Sequence, residues 1–251
     1  MATTTSRFVR HDLMCTDLPA GRRFYESLFG WQGTDVKVMG STIVRITAGY
    51  QVLGAIMPFD KSFSIPSHWV PYISVDSVDD CCKSASRLGG EICMGAMDIA
   101  PGRFAMIDDP QKALFSPFTP KGAVPDQRTA GPGDFCWDTL LTTDHRDAAR
   151  FYTSLFGWGS SDLDMGNGRA YTLLTNGDAG VAGIWKMSSD EAHRPMWLSY
   201  VAVRDTDDTV RRATALGATV VMAPTEAPGV GRLARILDPT GASIGLLQPK
   251  S

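Results

Sequence analysis

The chain repeats itself. Phe24-Tyr25-Glu26-Ser27-Leu28-Phe29-Gly30-Trp31 returns as Phe151-Tyr152-Thr153-Ser154-Leu155-Phe156-Gly157-Trp158, with seven of the eight positions identical. Trp69 and Tyr72 recur as Trp197 and Tyr200, Leu88-Gly89 as Leu216-Gly217, and Arg103 with Asp109-Pro110 as Arg232 with Asp238-Pro239. The spacing drifts by single residues, as it does when two copies collect small loop insertions. Matches in one order along the whole chain constrain the fold more than any composition can. They divide the sequence into copies at 1–119 and 133–251, joined by a Pro-, Gly- and polar-rich linker at 120–132 with no apolar period.

Each copy splits again. Val9 to Thr16 alternates and reads as a strand, followed by a helix at Ala20–Phe29, where Phe24, Leu28 and Phe29 share a face and Gly30 is the stop. Strands are expected at Thr42–Thr47 and Gln51–Met57. The order then restarts with a strand at Trp69–Val75, a helix capped near Asp79-Asp80 and running to Leu88, and strands at Phe104–Ile107 and Ala113–Phe118. The second copy repeats this from Phe135–Thr142 to Ser243–Leu247. The expected class is α+β: four βαβββ units in two tandem modules.

Hydrophobic residues make up 43% and charged residues 20% of 251, the balance of a chain with a real core. The net charge of −3, with neither sign in blocks, argues against nucleic-acid and membrane-surface partners. Met1 to Arg10 has no apolar signal stretch, and no run approaches the ~18 apolar residues of a spanning helix. A cytoplasmic protein is expected. The five cysteines match no zinc spacing and are expected to be reduced and mostly buried.

A strand ending at Asp17, the Phe-Tyr…Leu-Phe-Gly-Trp helix and Asp109-Pro110 before a last strand, all occurring twice, resemble the glyoxalase/bleomycin-resistance/dioxygenase (vicinal-oxygen-chelate) superfamily. The resemblance is to its tandem, two-module "hydroxylase-like" branch, and it implies that each module's curved mixed sheet encloses a ligand cavity. Metal-dependent members carry His, Glu or Gln on the first strand of a unit, His on the first strand of the next and Glu on the last strand. The matching positions here are Arg10, Val70 and Ser116, and Trp137, Leu198 and Gly245. Sliding one residue either way assembles no three ligands, so neither metal nor other cofactor is expected; an unorthodox set of His11, Asp12 and His68 is the alternative.

Arg10 and Asp12 share a strand face, with His11 on the other. Asp12 is therefore a candidate general base beside an arginine, or a surface ion pair of little consequence. His68 is a candidate acid–base group or a loop-end histidine; His145 and His193 read as solvent-exposed. Trp69, Tyr72, Trp197 and Tyr200 read either as walls for a flat ligand or as sheet core, whereas Trp137, at a position matching a metal ligand, is expected to project into the cavity. Arg103 and Arg232, each after a Gly-rich turn, are candidates for gating or anion binding. The first copy, with Arg10, Asp12 and His68, is expected to hold the chemistry.

The function these readings imply is metal-independent binding of an aromatic or polycyclic metabolite, or cofactor-independent isomerase, lyase or hydratase chemistry on it, in natural-product tailoring or self-resistance. The alternatives are a metal-dependent glyoxalase-like lyase or ring-cleaving dioxygenase, and a non-catalytic sequestering protein. The partner is a small organic ligand, and the chain is a monomer or homodimer.

Overall fold

A computed structural model describes residues 6–38, 40–63, 65–122, 130–165, 170–188 and 194–250. The first copy runs β1 (Phe8–Cys15), α1 (Leu18–Phe29), β2 (Gln32–Val38), β3 (Ser41–Ala48), β4 (Gln51–Pro58), β5 (His68–Ser74), α2 (Val78–Arg87), β6 (Glu91–Ile99), β7 (Gly102–Asp108) and β8 (Leu114–Pro120). The second runs β9 (Phe135–Thr142), α3 (His145–Phe156), β10 (Gly159–Asp164), β11 (Ala170–Asn176), β12 (Ala179–Lys186), β13 (Met196–Ala202), α4 (Thr206–Ala215), β14 (Thr219–Ala227), β15 (Gly231–Leu237) and β16 (Ser243–Pro249). These are four βαβββ units.

Local chemistry explains the helices. Asp17 caps α1 by accepting from the Ala20 amide, and Gly30 ends it at φ 72°, where a side chain would be strained. Asp144 and Gly157 do the same for α3. In α2 the cap is Ser77; Asp79 and Asp80, expected near the cap, lie in the first turn, where carboxylates favour the helix dipole.

The strands form two eight-stranded mixed sheets, ordered β2-β3-β4-β1-β5-β8-β7-β6 and β10-β11-β12-β9-β13-β16-β15-β14. Parallel pairing sets Asp12 opposite Ala55 and Tyr72 opposite Ser116; in the second copy it sets Thr139 opposite Gly183 and Tyr200 opposite Gly245. The sequence reading found two strands after each helix and missed β2, β6, β10 and β14. All four are sheet-end strands. Every residue of β10 is exposed, so no buried face prints an apolar alternation there.

Compactness does not follow the repeat boundary. One compact unit comprises residues 6–9, 71–122 and 138–197; the other comprises 10–70, 130–137 and 198–250. Each core therefore draws on both copies: Ile73, Ile107 and Phe115 with Leu140, Phe151 and Trp197 in the one, Leu13, Phe24 and Trp69 with Val201, Ile236 and Leu246 in the other. In the first of these units Trp197 donates its indole N–H to the Tyr152 hydroxyl at 3.0 Å. That hydroxyl donates to Asp109 Oδ2, also at 3.0 Å. Oδ1 of Asp109 accepts the Gln111 and Ala113 amides, which closes the Asp-Pro turn. In the other unit Trp69 donates to Tyr25 at 2.9 Å, and Asp238, whose Oδ1 closes the equivalent turn, lies beside that phenol. Burial first, and the neighbouring carboxylate second, hold both phenols well above the usual tyrosine range.

Candidate functional site

In β1, Leu13 and Cys15 belong to the core that also takes Phe24 and Tyr25 of α1, so His11 shares the helix-facing side. Its ring is buried and stacks on Phe135 with centroids 3.9 Å apart. Arg10 and Asp12 alternate to the opposite face. There Arg10 Nε meets Asp12 Oδ1 at 2.8 Å, with the two side chains only 13% and 2% exposed. The same Oδ1 accepts the Ala55 amide at 2.7 Å. The pair is thus a buried ion pair whose carboxylate is anchored to the backbone, and not a solvated surface contact. Breaking such a pair by deleting one partner costs about 3–5 kcal/mol, although a well-packed apolar replacement of both can be neutral.

His68 begins β5 half-buried. Its Nδ1 lies 2.9 Å from the Pro66 carbonyl and its ring stands edge-on to Phe59 at 5.2 Å. Buried Ser67 fixes this corner: its hydroxyl accepts the Thr16 amide at 2.9 Å. These contacts anchor His68 to its own loop, and none of them ties it to Asp12. His145 is half-buried at the start of α3, and His193 lies outside the described residues.

The aromatic candidates divide. Trp69 and Trp197 point into the helix-side cores, 3% and 1% exposed, with their N–H groups given to tyrosines. They are not ligand walls; the sheet-core reading is the right one, because the βα layer takes that face of β5 and β13. Tyr72 and Tyr200 lie on the other face, also buried. Tyr72 packs against Phe104 and Phe118 at 5.9 and 5.8 Å. The Tyr200 ring lies so close over Gly245 that a Cβ there would sit 2.3 Å from it. Trp137 is half-buried on β9, at the repeat position of Arg10. Sequence reasoning missed Tyr171 and Trp185, a cross-strand pair with centroids 6.5 Å apart. Gly183 was the available signal: a glycine inside an alternating strand marks close approach, and a Cβ there would meet the Tyr171 ring.

Arg103 and Arg232 are clamps, and the expectation of gating or anion binding does not hold. Arg103 grips Asp79 through Nε and an Nη, at 2.9 and 3.0 Å, and reaches Asp98 at 2.9 Å. Arg232 holds Asp207 the same way and contacts Glu226 at 3.3 Å. Each ties the first turn of a helix to the hairpin beneath it. The arginines hold Asp79 and Asp207 below the usual carboxylate range. The stability these carboxylates add is complete above the ordinary aspartate pKa of about 3.9 and disappears as pH falls through the lowered folded value. The contribution is small, since the groups are solvated. Melting curves between pH 5 and pH 2 should fall more steeply for the natural protein than for Arg103→Gln/Arg232→Gln; parallel curves would refute the clamp.

The positions that carry metal ligands in metal-dependent members do not fit a metal. Arg10 is a cation, Val70 and Leu198 are alkyl, Trp137 is an indole, Gly245 has no side chain and Ser116 is a lone buried hydroxyl. Among the described residues no three His, Cys, Asp or Glu side chains gather into a ligand set. Four of the five cysteines show no activated thiol: burial pushes Cys15, Cys82 and Cys93 up, and Cys81 up to about 12. A cleft of about 480 Å³ opens between the end of α1 and the start of α4, lined by Leu28, Phe29, Gly133, Asp205 and Arg212. A smaller one, about 220 Å³, lies beside Arg232. Neither cleft is lined by Arg10 or Asp12.

Comparison with known proteins places the chain in a family by sequence and gives the same fold by structure. The family model described as the glyoxalase/bleomycin resistance protein/dioxygenase superfamily matches residues 137–246. The chain is 34% identical over 245 residues to the glyoxylase-like protein CFP32 of Mycobacterium bovis, covering 95% of this chain and 93% of that one. It is 32% identical over 253 residues to the anthracycline biosynthesis protein DnrV of Streptomyces peucetius, covering 94% and 91%. Among solved structures, the Mn(II)-bound glyoxalase of Novosphingobium aromaticivorans superposes with a TM-score of 0.67 at 18% identity, covering 97% of this chain and 83% of that one.

Proposed function

The chain belongs to the glyoxalase/bleomycin resistance/dioxygenase superfamily, and from that premise we propose that it binds an aromatic or polycyclic metabolite without a metal and carries out acid–base chemistry on it. The observation that carries this reading is the Arg10–Asp12 pair: two charges nearly excluded from water on the first strand of the first copy, where the second copy has Trp137 and Thr139. The second strand folds at the same sheet position without charge, so the scaffold does not demand one. A relative named for anthracycline biosynthesis supports a fused-ring ligand and a place in natural-product metabolism.

In this reading Asp12 is the base. One carboxylate oxygen is fixed by the Ala55 amide and Arg10, so the group is oriented before the ligand arrives. Its other oxygen takes a proton from a carbon or hydroxyl of the ligand and returns it elsewhere, as isomerisation, dehydration or hydration requires. Positive charge on Arg10 stabilises the negative charge left on the ligand. His68 is a second proton donor only if the ligand bridges it to Asp12. The chain acts in the cytoplasm, as a monomer or homodimer; no helix among the described residues is long and apolar enough to cross a membrane.

Turnover of a panel of hydroxylated anthraquinones tests the proposal. Asp12→Asn keeps an oxygen for the Ala55 amide and should lower kcat by about 10²–10⁴ while circular dichroism stays native. Full activity in that variant would exclude Asp12 as the base. Binding without turnover by the natural protein would leave a sequestering protein. A stoichiometric transition metal in freshly purified protein would favour the lyase or dioxygenase reading, to which the Mn(II) glyoxalase likeness points only at the level of fold.

A further inference from the structure

We propose that the cleft between the end of α1 and the start of α4 is a second ligand site, built for a small aromatic carboxylate, and that Arg204 is the group that meets the carboxylate. The site lies on the helix side of the strands and does not include the Arg10–Asp12 pair, so it stands whether or not Asp12 is the base. At about 480 Å³ the cleft has room for a drug-sized molecule. Its floor is apolar: Leu28, Ala202 and Val203 are nearly buried, and half-buried Phe29, its ring centroid 5.0 Å from that of Trp31, supplies an aromatic wall. The walls are fixed before a ligand arrives. Arg212 donates to the Leu28 and Ser27 carbonyls at 2.7 and 3.3 Å. The Gly133 amide donates to the Ala202 carbonyl at 2.8 Å, and the Gly133 carbonyl accepts the Trp31 indole N–H at 2.7 Å. Such preorganisation lowers the cost of binding.

Charge decides what the cleft prefers. Four charged side chains line it, Arg204, Asp205, Asp208 and Arg212, and three of them are already engaged. Asp205 caps α4 by accepting the Asp208 amide at 2.8 Å, and Asp208 pairs with Arg211 on the same helix. Arg212 offsets the carbonyl end of α1, which would otherwise repel an anion. Arg204 is exposed and makes no hydrogen bond or ion pair among the described residues. A solvated arginine on open surface would say little, but this one lines a preformed cleft with an apolar floor. The repeat supplies the contrast. At the matching positions of the first copy Arg204 is Asp76 and Arg212 is Ser84, while Asp208 is again an aspartate, Asp80. Both arginines are departures from the repeat, and each moves the cleft toward anions. The fold requires neither, because α2 forms without them. A guanidinium meets a carboxylate as a planar fork of donors, and the floor beside it takes the ring.

Calorimetric titration with 2-naphthoate and with 2-naphthamide, a charged and a neutral probe of one shape, separates recognition of the carboxylate from binding of the ring. The natural protein should bind the acid at least about tenfold more tightly than the amide at pH 7, the range expected for a hydrogen bond to a charged group. Amide-resolved NMR should place the shifts at Phe29, Gly30, Val203 and Arg204. Arg204→Gln, at an exposed position, should weaken the acid by at least about tenfold, leave the amide within about twofold and keep the native circular dichroism. Arg204→Asp, which installs the first copy's residue, should weaken the acid further. Asp12→Asn should change neither affinity. Equal binding of acid and amide, undiminished acid binding by Arg204→Gln, or no saturable acid binding below about 1 mM overturns the inference and leaves the reading of Asp12 standing. Loss of acid binding in Asp12→Asn overturns it too, because the probe then occupies the other face of β1.

Discussion

Two halves made by severing the chain within residues 123–129 are expected not to fold on their own. Each compact unit takes strands from both copies, so a lone first copy has only part of two cores. The core around Trp69 would lose Val201, Val203, Ile236, Ile244 and Leu246, all buried. At about 1.5–3 kcal/mol for each large apolar side chain, these five alone approach 10 kcal/mol, comparable with the whole stability of a domain. The core around Phe115 would lose Phe151, Tyr152 and Trp197 as well. Expressed singly, each half should aggregate, or pair with itself to cover the exposed face; expressed together, the halves should recover the native circular dichroism and a single melting transition. A monomeric first half that melts cooperatively near the temperature of the intact chain would show that the copies are independent domains.

What the residues reveal before folding depends on how local the cause is. The helices were legible because caps, stops and apolar faces sit within a dozen positions, as with Asp17, Phe24 and Gly30. The sheet-end strands were not, because Gly159–Asp164 and its counterparts have little buried face to imprint a pattern. Asp12 and Arg10 were readable as a pair from strand alternation alone, but their burial came from β4, which carries Ala55 alongside. The role of Arg103 was hidden for the opposite reason: Asp79 is remote in sequence, and only the return of β7 beneath α2 brings the two together. Trp69 and Trp197 misled because alternation tells which residues share a face but not which face the helices cover. Identity between the copies marks the scaffold, buried tryptophans such as Trp69 and Trp197 and surface clamps such as Arg103 and Arg232 alike, and the candidate charges at Arg10 and Asp12 are among the residues that differ.

That division predicts where substitution will hurt. Trp197→Ala should lower stability by about 3–5 kcal/mol, the range for removing a buried aromatic ring. Trp197 is 1% exposed, its ring edge-on to Tyr152 and Phe8 at 5.1 and 5.2 Å. Its loss also leaves the Tyr152 hydroxyl without the donor that aligns it toward Asp109. Trp197→Phe retains most of the ring volume and deletes only that donor, so about 1–2 kcal/mol is expected from the unfilled acceptor and the residual void. Trp137→Ala removes the same side chain from the divergent position, where the indole is half-buried and the other copy has arginine; its cost should stay nearer 1 kcal/mol, the centre of the mutational range. Urea unfolding at one pH gives all three values. If Trp137→Ala were as damaging as Trp197→Ala, the divergent position would be part of the scaffold, and the contrast between the copies would no longer single out Arg10 and Asp12 as additions made for the ligand.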